Sequence, residues 1–388
     1  MAKLASWNEF CPTFFGTGAS ELIGEKAKGL GMHKVLLVTE NDLVKFGIAT
    51  KVQQRLEDAG LQVVLFDKVA IDPPSKICDE GYAVAKAERI DGIVAVGGGS
   101  SMDTAKAIAL LTGNEGDHIK KYFKQGSVGI KRGVPLITIP TTAGTGAENT
   151  QYAVITDSET GLKEVPEYAP DLALVDPVLT YTLPKSQTAS TGMDALAHCC
   201  EAMTSKLWNP YAYVFAAEGI RLIFKWLPVA VREPDNKEAR EMMSFAANLG
   251  GMAILPCSCQ MGHAWAQCFG GKYHVPHGLG CAWGLPSAMW FAGKWAPEGA
   301  RKVAEAMDLQ FTDSTTPDEL AQMMRDKVVG LMKEIGIPSL KSQGYTLDDC
   351  LSVAEFFLND AAFANNPKED CTLDDIKEYI KVTYESYQ

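Results

Sequence analysis

Four histidines and an aspartate in one stretch form the most chemically informative pattern in this chain. It holds six histidines, and His198, His263, His274 and His277 all fall between Thr191 and Gly280. Imidazole nitrogen and carboxylate oxygen are the donors that hold zinc, iron and similar divalent ions. Asp194 and His198 are four residues apart, a spacing that puts both on one face of a helix, one turn apart. Met261-Gly262-His263-Ala264-Trp265 reads as helical and runs into Gly270 to Gly278, which reads as a loop with glycines at both ends. Three neutral imidazoles and a carboxylate bind a divalent ion and leave a position for substrate oxygen. Any one of these histidines alone would be read as a hydrogen-bonded core or surface residue. Their clustering beside an Asp–His pair points to a metal centre. Glu201 shares the Asp194/His198 face, where a supporting role beside the ligands is expected.

A second chemistry is written in two small-residue segments. Gly97-Gly98-Gly99-Ser100 follows a buried-type strand and precedes a helix. There, backbone N–H groups can approach phosphate oxygens and the helix dipole favours an anion. The segment is neither the G-x-G-x-x-G dinucleotide fingerprint nor a P-loop, and a tight turn needing glycine is the plainer reading. Asp103, in the first turn, either complements the dipole or hydrogen-bonds a ribose or carboxamide. Pro140-Thr141-Thr142-Ala143-Gly144-Thr145-Gly146 offers three hydroxyls and two glycines after another strand, either for phosphate and sugar contacts or as a capped solvent loop. Two such loops at strand ends point to one dinucleotide. Glu40, ending the first predicted strand, would accept ribose hydroxyls and repel a 2′-phosphate, which favours NAD over NADP.

The elements that must position these residues divide near Leu183-Pro184. Before it, apolar strands (35–39, 63–66, 92–96, 136–139, 153–156 and 172–175) alternate with helices at 51–59, 75–89 and 101–111. That pattern predicts an α/β domain, residues 1–184, with a mostly parallel sheet covered on both faces. After it only helical patterns remain, at 191–205, 211–232, 237–254, 317–335, 347–359 and 372–386, predicting an all-α domain over 185–388. Ligands are expected in the cleft at the carboxyl ends of the strands.

At 388 residues the chain is long enough for two domains, and 46% hydrophobic with 22% charged residues is ordinary globular composition. A net charge of −12 argues against a nucleic-acid partner. The N-terminus lacks the apolar run of a signal peptide, and no stretch approaches the roughly 20 apolar residues of a membrane span. The ten cysteines are scattered, several in apolar segments, which suits free thiols in a reducing cytoplasm. Cys257 and Cys259 are too close for the usual zinc spacing and read as core or pocket thiols.

Taken together, Gly97-Gly98-Gly99-Ser100 with Asp103 and Lys106, the Pro140–Gly146 loop, Asp176-Pro177, Gly192-Met193-Asp194-Ala195-Leu196-Ala197-His198 with Glu201, His263, and Pro276-His277-Gly278 resemble the iron-containing (group III) alcohol dehydrogenase family. The resemblance covers essentially the whole length. It implies a nucleotide-binding α/β domain and a helical domain, with metal and cofactor in the cleft between them. It implies Asp194, His198, His263 and His277 as ligands to Fe²⁺, or Zn²⁺ in some members. Gly98, Gly99, Ser100, Thr141, Thr142, Thr145, Lys163 and Leu183 match positions lining the NAD(P) site. The resemblance also suggests a homodimer or larger homo-oligomer. Three departures stand out. Gln267 occupies a position where many members carry a further histidine, leaving His274 as the candidate proton relay. The stretch from Lys163 to Asp171 is short, and Asp72-Pro73-Pro74 replaces a common Asn-Pro pair.

The expected activity is hydride transfer between NAD(H) and a small alcohol/aldehyde pair. Asn149, Gln151, Tyr152, Trp265, Gln267 and Lys272 would give the substrate pocket polar groups and one cation, suiting a polar or anionic tail such as that of an ω-hydroxy acid or a sulfonated aldehyde. Two rivals share parts of this pattern. A lyase of the 3-dehydroquinate synthase type would use the same fold, NAD and metal without net NADH turnover. A metal-dependent hydrolase would have no use for the glycine and threonine loops.

Overall fold

A computed structural model describes residues 4–7, 11–124 and 128–388. The chain forms two compact units. One comprises Thr182–Gln388 with Ala143–Thr145 and the described residues up to Trp7; the other comprises the described residues of Asn8–Thr142 and Gly146–Tyr181.

The α/β unit is built on a six-stranded parallel sheet of order β1-β8-β5-β4-β2-β3. Its strands are β1 (Thr13–Phe15), β2 (Lys34–Val38), β3 (Gln62–Phe66), β4 (Gly92–Gly97), β5 (Leu136–Pro140) and β8 (Leu172–Val175). The central strands read as unbroken apolar runs because both their faces are covered. Leu36, Val38, Ile93 and Ala95 pack into one core with α4 (Ser75–Glu88) and α5 (Gly99–Gly113). Val35, Leu37, Val94 and Val96 point the other way, into a core with α1 (Ile23–Gly29) and α3 (Ile48–Asp58); α2 (Asn41–Lys45) is a short link. From β2 the chain moves outward to β3, then returns to place β4 on the other side of β2. That reversal lies between the carboxyl ends of β2 and β4, where open α/β sheets bind ligands.

Two expectations change. The predicted strand at 153–156 contributes only β6 (Ile155–Thr156), which pairs antiparallel with β7 (Lys163–Glu164) outside the main sheet. The edge strand β1 has three residues, too few to show a period in sequence.

The helical unit comprises α6 (Lys185–Thr204), α7 (Pro210–Arg232), α8 (Lys237–Cys257), α9 (Met261–Tyr273), α10 (His277–Trp295), α11 (Pro297–Ala306), α12 (Pro317–Glu334), α13 (Leu347–Leu351) and α14 (Leu373–Ser386). α6 is its centre, in contact with α7, α8 and α10 and buried continuously from Gly192 to Thr204. Alanines at 189, 195, 197 and 202 let neighbours approach from every side. Asn209 and Asn236 cap α7 and α8, and Thr316 with Glu319 closes a capping box on α12. The helix expected at 347–359 is instead α13 followed by a 3₁₀ turn over Ala354–Asn359. The loop expected from Gly270 to Gly278 shrinks to His274–Pro276, because α9 runs through both of its first glycines and α10 starts at His277. Among the described residues no single helix is long and apolar enough to cross a membrane.

Candidate metal centre and cofactor loops

A helix buried on all sides should not carry free charge, yet α6 buries Asp194, His198 and Glu201 at 2%, 5% and 0% exposure. Such groups cost several kcal/mol unless paired or bound to metal. Their partners come from α9 and α10. Asp194 Oδ1 lies 3.4 Å from His263 Nε2, 3.7 Å from His277 Nε2 and 3.9 Å from His198 Nε2. The rings of His198 and His263 stack with centroids 4.5 Å apart, and His277 is tilted against His263 at 5.4 Å. Asp194 Oδ1, His263 Nε2 and His198 Nδ1 are buried without a hydrogen-bond partner.

These separations fit a bound ion better than hydrogen bonds. Donors about 2.1 Å from one ion at tetrahedral angles are about 3.4 Å apart. Burial opposes ionisation of Asp194, but the facing His198 with His263 and His277 outweighs it and holds the carboxyl well below its usual range. Burial pushes the His198 imidazole down to about 4, so its ring is neutral at pH 7, the form a metal requires.

Glu201 completes the arrangement from behind. Its Oε1 lies 3.1 Å from His263 Nδ1, and its Oε2 accepts the backbone N–H groups of Gln260 at 2.5 Å and His263 at 3.4 Å. A metal-bound His263 would donate Nδ1–H to Glu201 and turn its Nε2 lone pair toward the ion beside Asp194. Glu201→Gln is therefore expected to weaken metal binding about 10- to 100-fold. Competition against a chromophoric chelator would measure this, and unchanged affinity would contradict it.

The local chain explains how these side chains come together. Pro276 precedes α10, so His277 opens that helix and projects from its first turn. Gly278 is required there, since a Cβ would lie 2.4 Å from the Ser190 carbonyl of α6. Two thiols also enter the site, which spacing alone did not assign to it. Cys281, one turn beyond His277, joins Asp194, His263 and His277 in a group whose donor atoms all lie within 4.8 Å of one another; Cys259 forms a similar group with His198 and His263. His274 is exposed, in left-handed conformation (φ 56°), where it ends α9. Trp265 is fully buried and stacked on Phe269, while Lys272 is exposed and donates to Ser352 Oγ at 2.8 Å.

The α/β unit places Glu40, Gly98, Gly99, Ser100, Thr141 and Thr142 beyond the carboxyl ends of β2, β4 and β5. Gly97 ends β4 with φ 155°, and a Cβ there would fall 2.2 Å from Ser101 Oγ. Gly98 precedes α5, Gly99 and Ser100 form its first turn, and a Cβ on Gly98 would meet the Thr142 methyl at 3.4 Å. Glu40 at the end of β2 accepts a hydrogen bond from Ser101 Oγ at 3.2 Å. Burial raises its pKa, opposed by Ser101 and the Gly98 N–H. Thr141 N–H donates to the Gly97 carbonyl, tying the two loops together. Bare backbone at a helix N-terminus beside an acidic residue fits a dinucleotide's phosphates and ribose.

Other predicted positions are engaged in the protein itself. Asp103 Oδ1 lies 3.3 Å from Lys106 Nζ, and Lys106 is wholly buried, donating also to the Tyr152 carbonyl at 2.6 Å and reaching Thr150 Oγ1 at 3.4 Å. Lys163 Nζ donates to Asp72 Oδ1 at 2.6 Å and Thr156 Oγ1 at 2.9 Å. Leu183 and Thr145 belong to the helical unit, where the Leu183 carbonyl accepts from Arg240 at 3.1 Å.

Comparison with known proteins decides the family. Residues 12–177 match the iron-containing alcohol dehydrogenase model, and residues 188–384 match the C-terminal model of the Fe-containing alcohol dehydrogenase family. The chain belongs to the iron-containing alcohol dehydrogenase family. The choline dehydrogenase of Bacillus subtilis is 37% identical over 358 residues, 91% of this chain and 89% of its own. A solved 1,3-propanediol oxidoreductase matches with a TM-score of 0.91 and 34% identity, covering 97% of this chain and 100% of its own. The sulfoacetaldehyde reductase of Bifidobacterium kashiwanohense, solved in complex with NAD⁺, matches with a TM-score of 0.82 and 28% identity, covering 99% of each chain. The NAD-dependent methanol dehydrogenase of Bacillus methanolicus is 35% identical over 384 residues, 96% of this chain and 99% of its own, and the chain is an alcohol dehydrogenase or aldehyde reductase of the iron-containing type.

Proposed function

We propose that Asp194, His198, His263 and His277 hold a divalent ion, Fe²⁺ or Zn²⁺, and that the enzyme interconverts a short alcohol and its aldehyde with NAD(H). The observation that carries this reading is the convergence of three imidazole Nε2 atoms on one buried carboxylate oxygen that has no hydrogen-bond partner. When bound, the ion supplies Lewis-acid polarisation of the substrate oxygen, and the dinucleotide supplies or accepts the hydride. Asp194 provides the negative charge that offsets the ion, while Glu201 fixes the His263 tautomer. Gly98, Gly99, Ser100, Thr141, Thr142 and Thr145 bind the cofactor's phosphates and sugars, and Glu40 accepts its ribose hydroxyls, favouring NAD over NADP. Asp103 and Lys163 support that site through the contacts described above, and Leu183 is a further cofactor position by family resemblance.

His274 is the proposed proton relay, three residues before His277 on the short connection between α9 and α10. His274→Gln is expected to lower kcat about 100-fold with metal content unchanged. An unchanged kcat would remove the role.

The proposed substrate carries a polar or anionic tail, as an ω-hydroxy acid or sulfonated aldehyde does. Similarity to a sulfoacetaldehyde reductase supports this. Lys272, already bonded to Ser352, would have to share its ammonium with such a tail. A panel of short aldehydes tests it: kcat/KM at least about 10-fold higher for sulfoacetaldehyde than for propionaldehyde is expected, the size of one favourable polar contact. Equal values would remove the tail from the proposal.

A further inference from the structure

We propose that Cys281 is itself a ligand of the bound ion, so that the centre offers a carboxylate, imidazoles and one thiolate. This rests on the metal reading above and adds a donor to it. Cys281 follows His277 by one turn of α10, so both side chains project from the same face. Its Sγ lies 3.6 Å from His277 Nε2. Donors bound to one ion at about 2.3 Å for sulfur and 2.1 Å for nitrogen, at tetrahedral angles, are about 3.6 Å apart. The donor atoms of Asp194, His263, His277 and Cys281 all lie within 4.8 Å of one another, and His198 Nε2 lies 3.9 Å from Asp194 Oδ1. Two atoms of this group, Asp194 Oδ1 and His263 Nε2, are buried without a hydrogen-bond partner and belong to residues 2% exposed.

Binding through Cys281 replaces its S–H bond by a metal–sulfur bond and releases the proton to solvent, with no change of oxidation state. A thiolate is a softer donor than oxygen or imidazole, so it biases the centre toward Zn²⁺ relative to Fe²⁺. The plainer alternative is a weak S–H···N hydrogen bond to His277 with no metal contact.

Cobalt substitution separates the two. Metal-free full-length protein loaded with Co²⁺ should show thiolate-to-cobalt charge-transfer absorption in the near ultraviolet. That band should vanish in Cys281→Ser and persist in Cys259→Ala. Cys281→Ser should also reduce the preference for Zn²⁺ over Fe²⁺ about 10-fold or more in competition titrations. X-ray absorption on the wild-type zinc form needs no variant to fold, and should show a sulfur shell at about 2.3 Å. Bound cobalt or zinc with no sulfur signature overturns the Cys281 assignment alone, as does a band that survives Cys281→Ser. Protein that takes up no metal overturns this inference together with the metal reading beneath it.

Discussion

His263→Ala is expected to abolish most NADH-dependent aldehyde reduction and to leave the purified protein short of metal. His263 stands at the centre of the cluster, facing Asp194 through Nε2, backed by Glu201 through Nδ1, and stacked on His198. Its removal deletes a proposed metal donor and the imidazole facing Glu201, whose buried carboxylate keeps the backbone N–H groups of Gln260 and position 263. If the ion contributes roughly 4 kcal/mol of transition-state stabilisation, the loss is about 10³-fold in rate. Steady-state kinetics and elemental analysis on the same sample would show both effects, with circular dichroism confirming that the helices persist. Full activity in this variant would remove the metal assignment.

Lys106→Met should destabilise the α/β unit by about 3–5 kcal/mol, the cost of breaking a buried ion pair from one side. The lysine is fully buried because its ammonium is satisfied by Asp103, Thr150 Oγ1 and the Tyr152 carbonyl. Burial lowers the lysine pKa and raises that of Asp103, and each charge resists the shift of the other. Met fills a similar volume without a donor, so Asp103 and the Tyr152 carbonyl both lose a partner. Asp103→Leu with Lys106→Met should recover part of the loss, because the stranded carboxylate is then absent. Denaturant midpoints of the single and double variants measure this. A single variant as stable as the parent would show that the pair is not coupled to folding.

The parts of this fold that were legible in sequence are those whose pattern follows from burial. Strands such as Ile93–Val96 are apolar throughout because helices cover both faces, and Asp194 and His198 share a helix face by spacing alone. What escaped reading has definite physical causes. α10 holds Gly278, Gly280, Gly284, Pro286 and Gly293, a composition that signals a loop. Several of these glycines instead admit close neighbours: Ala266 against Gly280, Trp265 against Gly284 and Ala321 against Gly293. The Gly270-Gly271 pair misled in the same way, since α9 continues through it. The closure of Cys281 onto the histidines depends on α10, a helix that the sequence pattern did not show. Nor could composition show that Lys106 and Lys163 are each already bound to a carboxylate. Partners distant in sequence are set by packing.

In the proposed function, a metal held by Asp194, His198, His263 and His277 is needed to interconvert a short aldehyde and its alcohol with NAD(H). The most direct test is NADH absorbance on mixing with short aldehydes, before and after removal of the metal by chelation. One NADH oxidised per aldehyde reduced is expected, with loss of the reaction in the stripped protein and recovery on adding Fe²⁺ or Zn²⁺. NADH oxidation at full rate in thoroughly metal-free protein, or no net NADH consumption with any aldehyde in the reconstituted one, would contradict it.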